Sequence, residues 1–128
     1  MKLISLLALT LLLGCGDGGP PMGTVSGKLT IGGTAPKEPV RMQFINSIIG
    51  QGASATTTAE GTYALDHPIQ VAEYTVYFEK IVDAVEPISS NAELLRTVPK
   101  EYRNEMSSPL KKSIEQGANE IDLEVPGA

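Results

Sequence analysis

The sequence predicts an all-β protein: a two-layer antiparallel sandwich of seven short strands behind an N-terminal export signal. Three observations carry this. Apolar and polar residues alternate with period two from Thr24 onward, glycine, proline and asparagine punctuate those runs, and no long segment repeats its apolar residues at helical spacing.

In the first strand Val25, Gly27, Leu29 and Ile31 share one phase against Ser26, Lys28 and Thr30, the pattern of a sheet with one buried face. The segment IGGTAP, residues 31–36, supplies turn residues. Val40, Met42 and Phe44 alternate with Arg41 and Gln43 as a second strand. ASATTTA, residues 53–59, is a β-prone third, and Glu60-Gly61 turns into a fourth with Tyr63 and Leu65 on one face. EYTVYFE, residues 73–79, is the strongest strand, with Tyr74, Val76 and Phe78 in phase. Leu110, Lys112 and Ile114 mark a sixth strand, in which Lys112 breaks the apolar phase. Gly117-Ala118-Asn119 reads as a turn, and Ile121, Leu123 and Val125 form a seventh strand. Seven short strands joined by turns suit a sandwich of one domain.

Residues 80–108 make a connection too long for a plain turn. Ser90 and Glu93 have capping-box spacing, Leu94 and Leu95 can pack, and Pro99 stops the helical turn they would form. Connections of this length in a compact domain are usually functional or mobile. Tyr74, Leu94, Leu95 and Tyr102 are therefore the candidate binding surface.

Ahead of the domain, Met1-Lys2 is basic and residues 3–13 are apolar apart from Ser5 and Thr10. As a helix this run reaches roughly 17 Å against a hydrocarbon core of about 30 Å, too short to span. A basic start, a short apolar run and then small residues read as a secretory signal peptide. Leu12-Leu13-Gly14-Cys15 resembles the lipobox of bacterial lipoproteins. The resemblance implies cleavage between Gly14 and Cys15, and diacylglyceryl and acyl (palmitate-type) modification at Cys15. One chain anchors only marginally, whereas two or three hold a protein to a membrane. Cys15 is the sole cysteine, so no disulfide can form and stability must come from packing. The chain thus divides into a signal peptide (1–14), a lipidated cysteine with a glycine- and proline-rich tether (15–23), and the sandwich domain (24–128).

The formal charge is −5 over the whole chain, and removal of Lys2 with the signal peptide makes it more negative. That argues against nucleic acid as a partner and against electrostatic adhesion to anionic lipids. The one histidine, His67, follows Asp66 in a turn before Pro68. This dipeptide is no catalytic triad, and no cluster of histidine or cysteine suits a metal, so neither a catalytic residue nor a cofactor is expected.

VSGKLTIGGTAP, TTTAEGTYAL, EYTVYF and VPKEYRNEMSSPLKKSIEQGANEIDLEV together resemble a family of small bacterial lipoproteins. Their one domain is transthyretin-like, close to the carboxypeptidase regulatory-like domain. The most specific part is the tail: Pro99-x-x-Tyr102, Ser108-Pro109-Leu110 and Gly117-Ala118-Asn119-Glu120. The family's Asp-Gly turn is Glu60-Gly61 here, and its Pro-Gly-x-Tyr lead-in is Val71-Ala72-Glu73-Tyr74. The resemblance implies a seven-stranded transthyretin-like sandwich, a lipid anchor in the cell membrane or outer membrane, and a domain outside the cytoplasm.

The expected function is a non-catalytic binding or structural module of the cell envelope. Its partners would be the membrane, through the anchor, and an envelope protein or polysaccharide. The alternative is an envelope hydrolase or small-ligand carrier using a pocket under the 80–108 connection. Related adhesin domains weld a first-strand lysine to a last-strand asparagine, which would here be Lys28 and Asn119. Lys28, however, lies in the solvent-facing phase of its strand.

Overall fold

The computed structural model describes residues 19–81, 94 and 96–127. The described residues are all-β, in two facing sheets with a shared core. Among the described residues nine strands form: β1 (Met22–Ile31), β2 (Arg41–Asn46), β3 (Gln51–Thr56), β4 (Thr62–Ala64), β5 (Ile69–Gln70), β6 (Ala72–Glu79), β7 (Lys111–Ile114), β8 (Gly117–Glu120) and β9 (Leu123–Val125). A 3₁₀ turn, Lys100–Arg103, precedes β7.

The first sheet is built around β1. Ser26 pairs with both Ala64 and Glu120, and Gly23 with both Ile69 and Gly117, so β4 and β5 occupy one edge of β1 and β8 and β9 the other. The β4 and β5 pairings are antiparallel, and the β8 and β9 pairings are parallel. The expected purely antiparallel sandwich is corrected here, because the chain returns from β7 beside the start of β1 and then runs along it. Gly117-Ala118-Asn119, expected as a turn, is the β8 strand. The turn lies just before it, where the Asn119 carboxamide accepts from Glu115 N–H (3.0 Å) and donates to the carbonyls of Glu115 (2.8 Å), Gly117 (3.1 Å) and Thr24 (3.1 Å).

The second sheet runs β3-β2-β6-β7, wholly antiparallel. Val40, Met42 and Phe44, and Tyr74, Val76 and Phe78, point inward as their alternation requires, to meet Val25, Leu29 and Ile31 of β1. The Phe44 and Tyr63 rings stack across the gap at 6.1 Å between centroids. Gly27 belongs to the same inward phase, and its missing side chain is what makes room. A Cβ there would collide with the Ile121 carbonyl and lie 3.2 Å from the Tyr63 ring.

Two further departures follow from pairing between distant segments. β5 is only two residues long and pairs with Met22 and Gly23, so the sandwich starts two residues earlier than expected, within the region assigned to the tether. From Met22 to Ser26 β1 advances four residues, while its antiparallel edge advances six, from Ala64 to Gln70. The extra residues bulge outward. Asp66 N–H donates to the Ser54 carbonyl (3.0 Å) and its carboxylate accepts from Ser54 N–H (3.4 Å), which covers the free edge of β3.

Leu94, Arg96 and Thr97 have helical backbone, closed by Val98 N–H on the Leu94 carbonyl at 3.1 Å. That agrees with the helical turn expected before Pro99. The Pro99-x-x-Tyr102 motif is the 3₁₀ turn itself, its Tyr102 N–H donating to the Pro99 carbonyl (3.0 Å). Ser108, buried, donates its hydroxyl to the Val76 carbonyl at 2.6 Å and delivers the chain to β7.

Candidate functional site

Leu94, Val98 and the 3₁₀ turn fold back on the outer end of β6, so these described residues of the 80–108 connection pack on the sandwich. Leu94 and Val98 are buried, and Tyr102 is half-buried against the core. Tyr74 does not join them. It is fully buried at the opposite end of β6, with its hydroxyl donating to the Gln70 carbonyl (2.7 Å). Its pKa is raised by that burial. Tyr74 therefore belongs to the core and not to a binding surface. Leu95, Gly14 and Cys15 lie outside the described residues.

The concave feature here is built around Arg103, at the end of the 3₁₀ turn. Arg103 lines two adjoining grooves. One, of about 340 Å³, has Phe78, Glu79, Lys80 and Leu94 as its other walls. The second, of about 460 Å³, is lined with Lys100, Glu101, Asn104 and Ser107. The Arg103 Nε is buried and has no hydrogen-bond partner among the described residues. Buried donors of this kind are uncommon in folded proteins, since each forfeits its hydration without a replacement.

Two of the neighbouring polar groups are occupied elsewhere. One Glu79 carboxylate oxygen accepts from Arg41 Nε (2.9 Å) and from Gln43 Nε2 (2.7 Å). Ser107 donates its hydroxyl to the Glu101 carbonyl at 2.8 Å. Lys80 and Lys100 stand exposed at the groove rims. Each groove thus combines Arg103 with one lysine and one glutamate, and the first adds an apolar wall of Phe78 and Leu94; the guanidinium is the group there chemically suited to a carboxylate or phosphate carried on a small apolar body.

Sequence reasoning singled out Tyr102 and passed over Arg103 beside it. The available signal was the spacing of Lys100 and Arg103: residues three apart eclipse each other on a 3₁₀ turn, which puts two cations on one side.

Asp66 and His67 also meet a serine. Ser54 donates its hydroxyl to Asp66 Oδ2 (3.3 Å), and His67 Nε2 lies 3.6 Å from Asp66 Oδ1. The carboxylate stands between hydroxyl and imidazole, whereas a nucleophile–base pair needs the hydroxyl on the imidazole. His67 Nδ1 lies 2.9 Å from the Pro68 carbonyl. Among the described residues no three of His, Cys, Asp and Glu cluster to hold a metal ion. Lys28 is exposed, and it is its backbone N–H that meets Asp122 (3.0 Å). Asn119 is spent on the turn before β8.

No family model, curated protein or solved structure matches the chain significantly.

Proposed function

We propose that this chain is a bacterial lipoprotein, anchored outside the cytoplasm through Cys15, whose transthyretin-like sandwich is a non-catalytic binding or structural module of the cell envelope. The observation that carries the reading is the order of residues at the start: a basic Met1-Lys2, an apolar run too short to span a bilayer, Leu12-Leu13-Gly14-Cys15, and then β1 from Met22. A chain with one cysteine, spent at the junction between an export signal and a β domain, uses that thiol as a point of attachment. The filled core between the sheets is consistent with a domain that works through its surface.

The test is processing in a bacterium that matures lipoproteins. Intact mass of the membrane-extracted protein is expected to show a chain beginning at Cys15 with diacylglyceryl and acyl groups, and labelled palmitate is expected to be incorporated. Cys15→Ala should abolish both and leave the precursor uncut. An unmodified wild-type protein in the aqueous fraction overturns the reading.

A second reading, a carrier of small anionic ligands, is favoured by one observation: Arg103, whose Nε is buried with no partner among the described residues, lines two grooves. It requires that phosphate stabilise the wild type more than Arg103→Met.

A further inference from the structure

Every large hydrophobic residue exposed among the described residues (Met22, Ile48, Ile49, Val71 and Met106) belongs to one end of the sandwich. The pairings establish this. Met22 begins β1 and pairs with Gln70, and Val71 N–H donates to the Pro21 carbonyl (3.0 Å), so Val71 lies beside the start of β1. β6 leaves from there at Ala72. β2 runs antiparallel to it and ends at this level, with the Asn46 carboxamide donating to the Glu73 carbonyl at 2.9 Å. The β2–β3 tip that follows carries Ile48 and Ile49, held by the Asn46 carboxamide oxygen, which accepts from both their N–H groups (2.9 and 3.2 Å). Met106 joins from the long connection, because the Ser47 hydroxyl donates to the neighbouring Glu105 carboxylate.

Ile48 is 95% and Met106 90% exposed, so neither contributes to the fold. Exposed apolar residues scattered singly need no explanation, but five gathered at one end do. The same end receives the chain from Cys15. Only six residues separate Cys15 from Met22, a span of about 25 Å when fully extended. A lipid at Cys15 would hold this end, and no other, within contact of the head groups.

We propose that this apolar end is a membrane-docking face, with Ile48, Ile49 and Met106 inserted among the lipid head groups so that the domain sits against the bilayer. The proposal rests on the lipid-anchor reading. The occupant is the bilayer itself: the tether length and its point of attachment select it over a second copy of the chain. Glu73, Glu105 and Glu115 share this end with Lys111 and Lys112, and the whole chain is negative, so the contact is hydrophobic and not electrostatic. Ile48 and Met106 tip two loops on either side of the Ser47–Glu105 bond, which sets them as a pair of wedges.

The test uses the full lipidated protein in phosphatidylcholine vesicles. The diacylglyceryl thioether leaves Cys15 without a free thiol, so Ile48→Cys, Met106→Cys and Glu60→Cys each provide one labelling site. Glu60 lies in the turn whose Gly61 carbonyl accepts from Leu29 N–H, toward the far end of β1. An environment-sensitive dye is expected to shift blue at positions 48 and 106 and to lose roughly half its emission to chain-brominated lipid, since insertion of ~5–10 Å reaches the acyl boundary. Position 60 should do neither, and high salt should change nothing. Equal responses at all three positions, in protein whose mass proves acylation, overturn the docking face alone. A blue shift at 48 and 106 without quenching by lipid overturns it in favour of contact between copies. An unacylated mass removes the anchor reading and the docking face together.

Discussion

The hydroxyl of Tyr63 donates to the carbonyl of Ile121, 58 residues further along the chain, at 2.5 Å. The bond crosses β1 from one edge to the other. It reaches the point where the parallel ladder lapses between β8 and β9, and there Asp122 accepts from Lys28 N–H through its side chain. The ring that carries the hydroxyl lies over Gly27, its partner across the strands. One tyrosine thus fastens both edges of the first sheet, and glycine at 27 is the condition for it.

Tyr63→Phe should therefore keep the packing and lose the bond, leaving the Ile121 carbonyl short of a donor. The expected cost is about 1–2 kcal/mol, read as a lowered urea midpoint with unchanged slope. Gly27→Ala should cost more, because the added methyl meets a backbone carbonyl that cannot yield. If Gly27→Ala is neutral, the close approach drawn here is wrong.

The same residue sets an alkaline limit. Burial first, and the Asp122 carboxylate second, raise the Tyr63 pKa well above that of a free phenol. In the unfolded chain it returns to about 10, so the unfolded state gives up its proton first. The stability this residue contributes is complete below about pH 10 and falls as pH rises above it, by up to about 1.4 kcal/mol per pH unit. Burial raises Tyr74 and Tyr77 as well, with Glu79 and Glu105 adding to the shift of Tyr77. Denaturation curves between pH 9 and 11 should thus fall for both proteins, and less steeply for Tyr63→Phe than for wild type.

Asn119 offers a test of the turn that brings β8 beside β1. Its carboxamide oxygen accepts one backbone N–H, and its nitrogen serves three carbonyls, including that of Thr24 in β1. Asn119→Ala should cost roughly 2 kcal/mol. Asn119→Asp should cost at least as much, since it removes the donor and sets a charge among carbonyl oxygens. If Asn119→Asp is harmless, the nitrogen's bonds carry nothing.

These residues also show which parts of the fold were legible beforehand. The inward phases of β1, β2 and β6 were readable because a half-buried strand writes its face directly into alternate positions. β5 was not, because two residues have no periodicity; Ile69 and Gln70 become a strand only when Met22 and Gly23 lie alongside. Gly117 and Asn119 are turn formers by local preference, and a parallel partner 94 positions away overrides that preference. The Cys15 motif lies outside the described residues, so its reading rests on the sequence alone. Arg103 could be read only in part: its spacing from Lys100 marks two cations on one side of a 3₁₀ turn, but the burial of its Nε comes from tertiary packing that no local pattern records.

On the outer face of the second sheet, Glu79 is shared by Arg41 and Gln43, and Arg41 reaches on to the Ser54 hydroxyl at 3.4 Å. The Arg41 and Glu79 side chains are 37% and 33% exposed, so solvent screens the pair and its contribution is below about 1 kcal/mol. Glu79→Gln should lower the denaturation midpoint slightly at low ionic strength. At 1 M salt, where the Debye length is about 3 Å, the difference from wild type should shrink toward zero. A difference that grows with salt would contradict the ion-pair account.

The carrier reading turns on Arg103, and its test must separate a site from a general salt effect. Arg103→Met removes a buried N–H that has no partner among the described residues while keeping much of the aliphatic packing, so the two changes oppose each other. Without added anions its stability should stay within about 1 kcal/mol of wild type. Phosphate stabilises most proteins through exclusion from their surfaces, and that part should be the same in both. A bound anion adds to it by mass action, about 1.4 kcal/mol at ten times its Kd. Unfolding midpoints over a phosphate series should therefore rise further for wild type than for Arg103→Met. Arg103→Lys should fall between them, since it keeps a charge and loses the planar fork. Parallel rises in all three proteins would leave Arg103 without a ligand and dismiss the carrier reading, while the anchored module would stand on its own test.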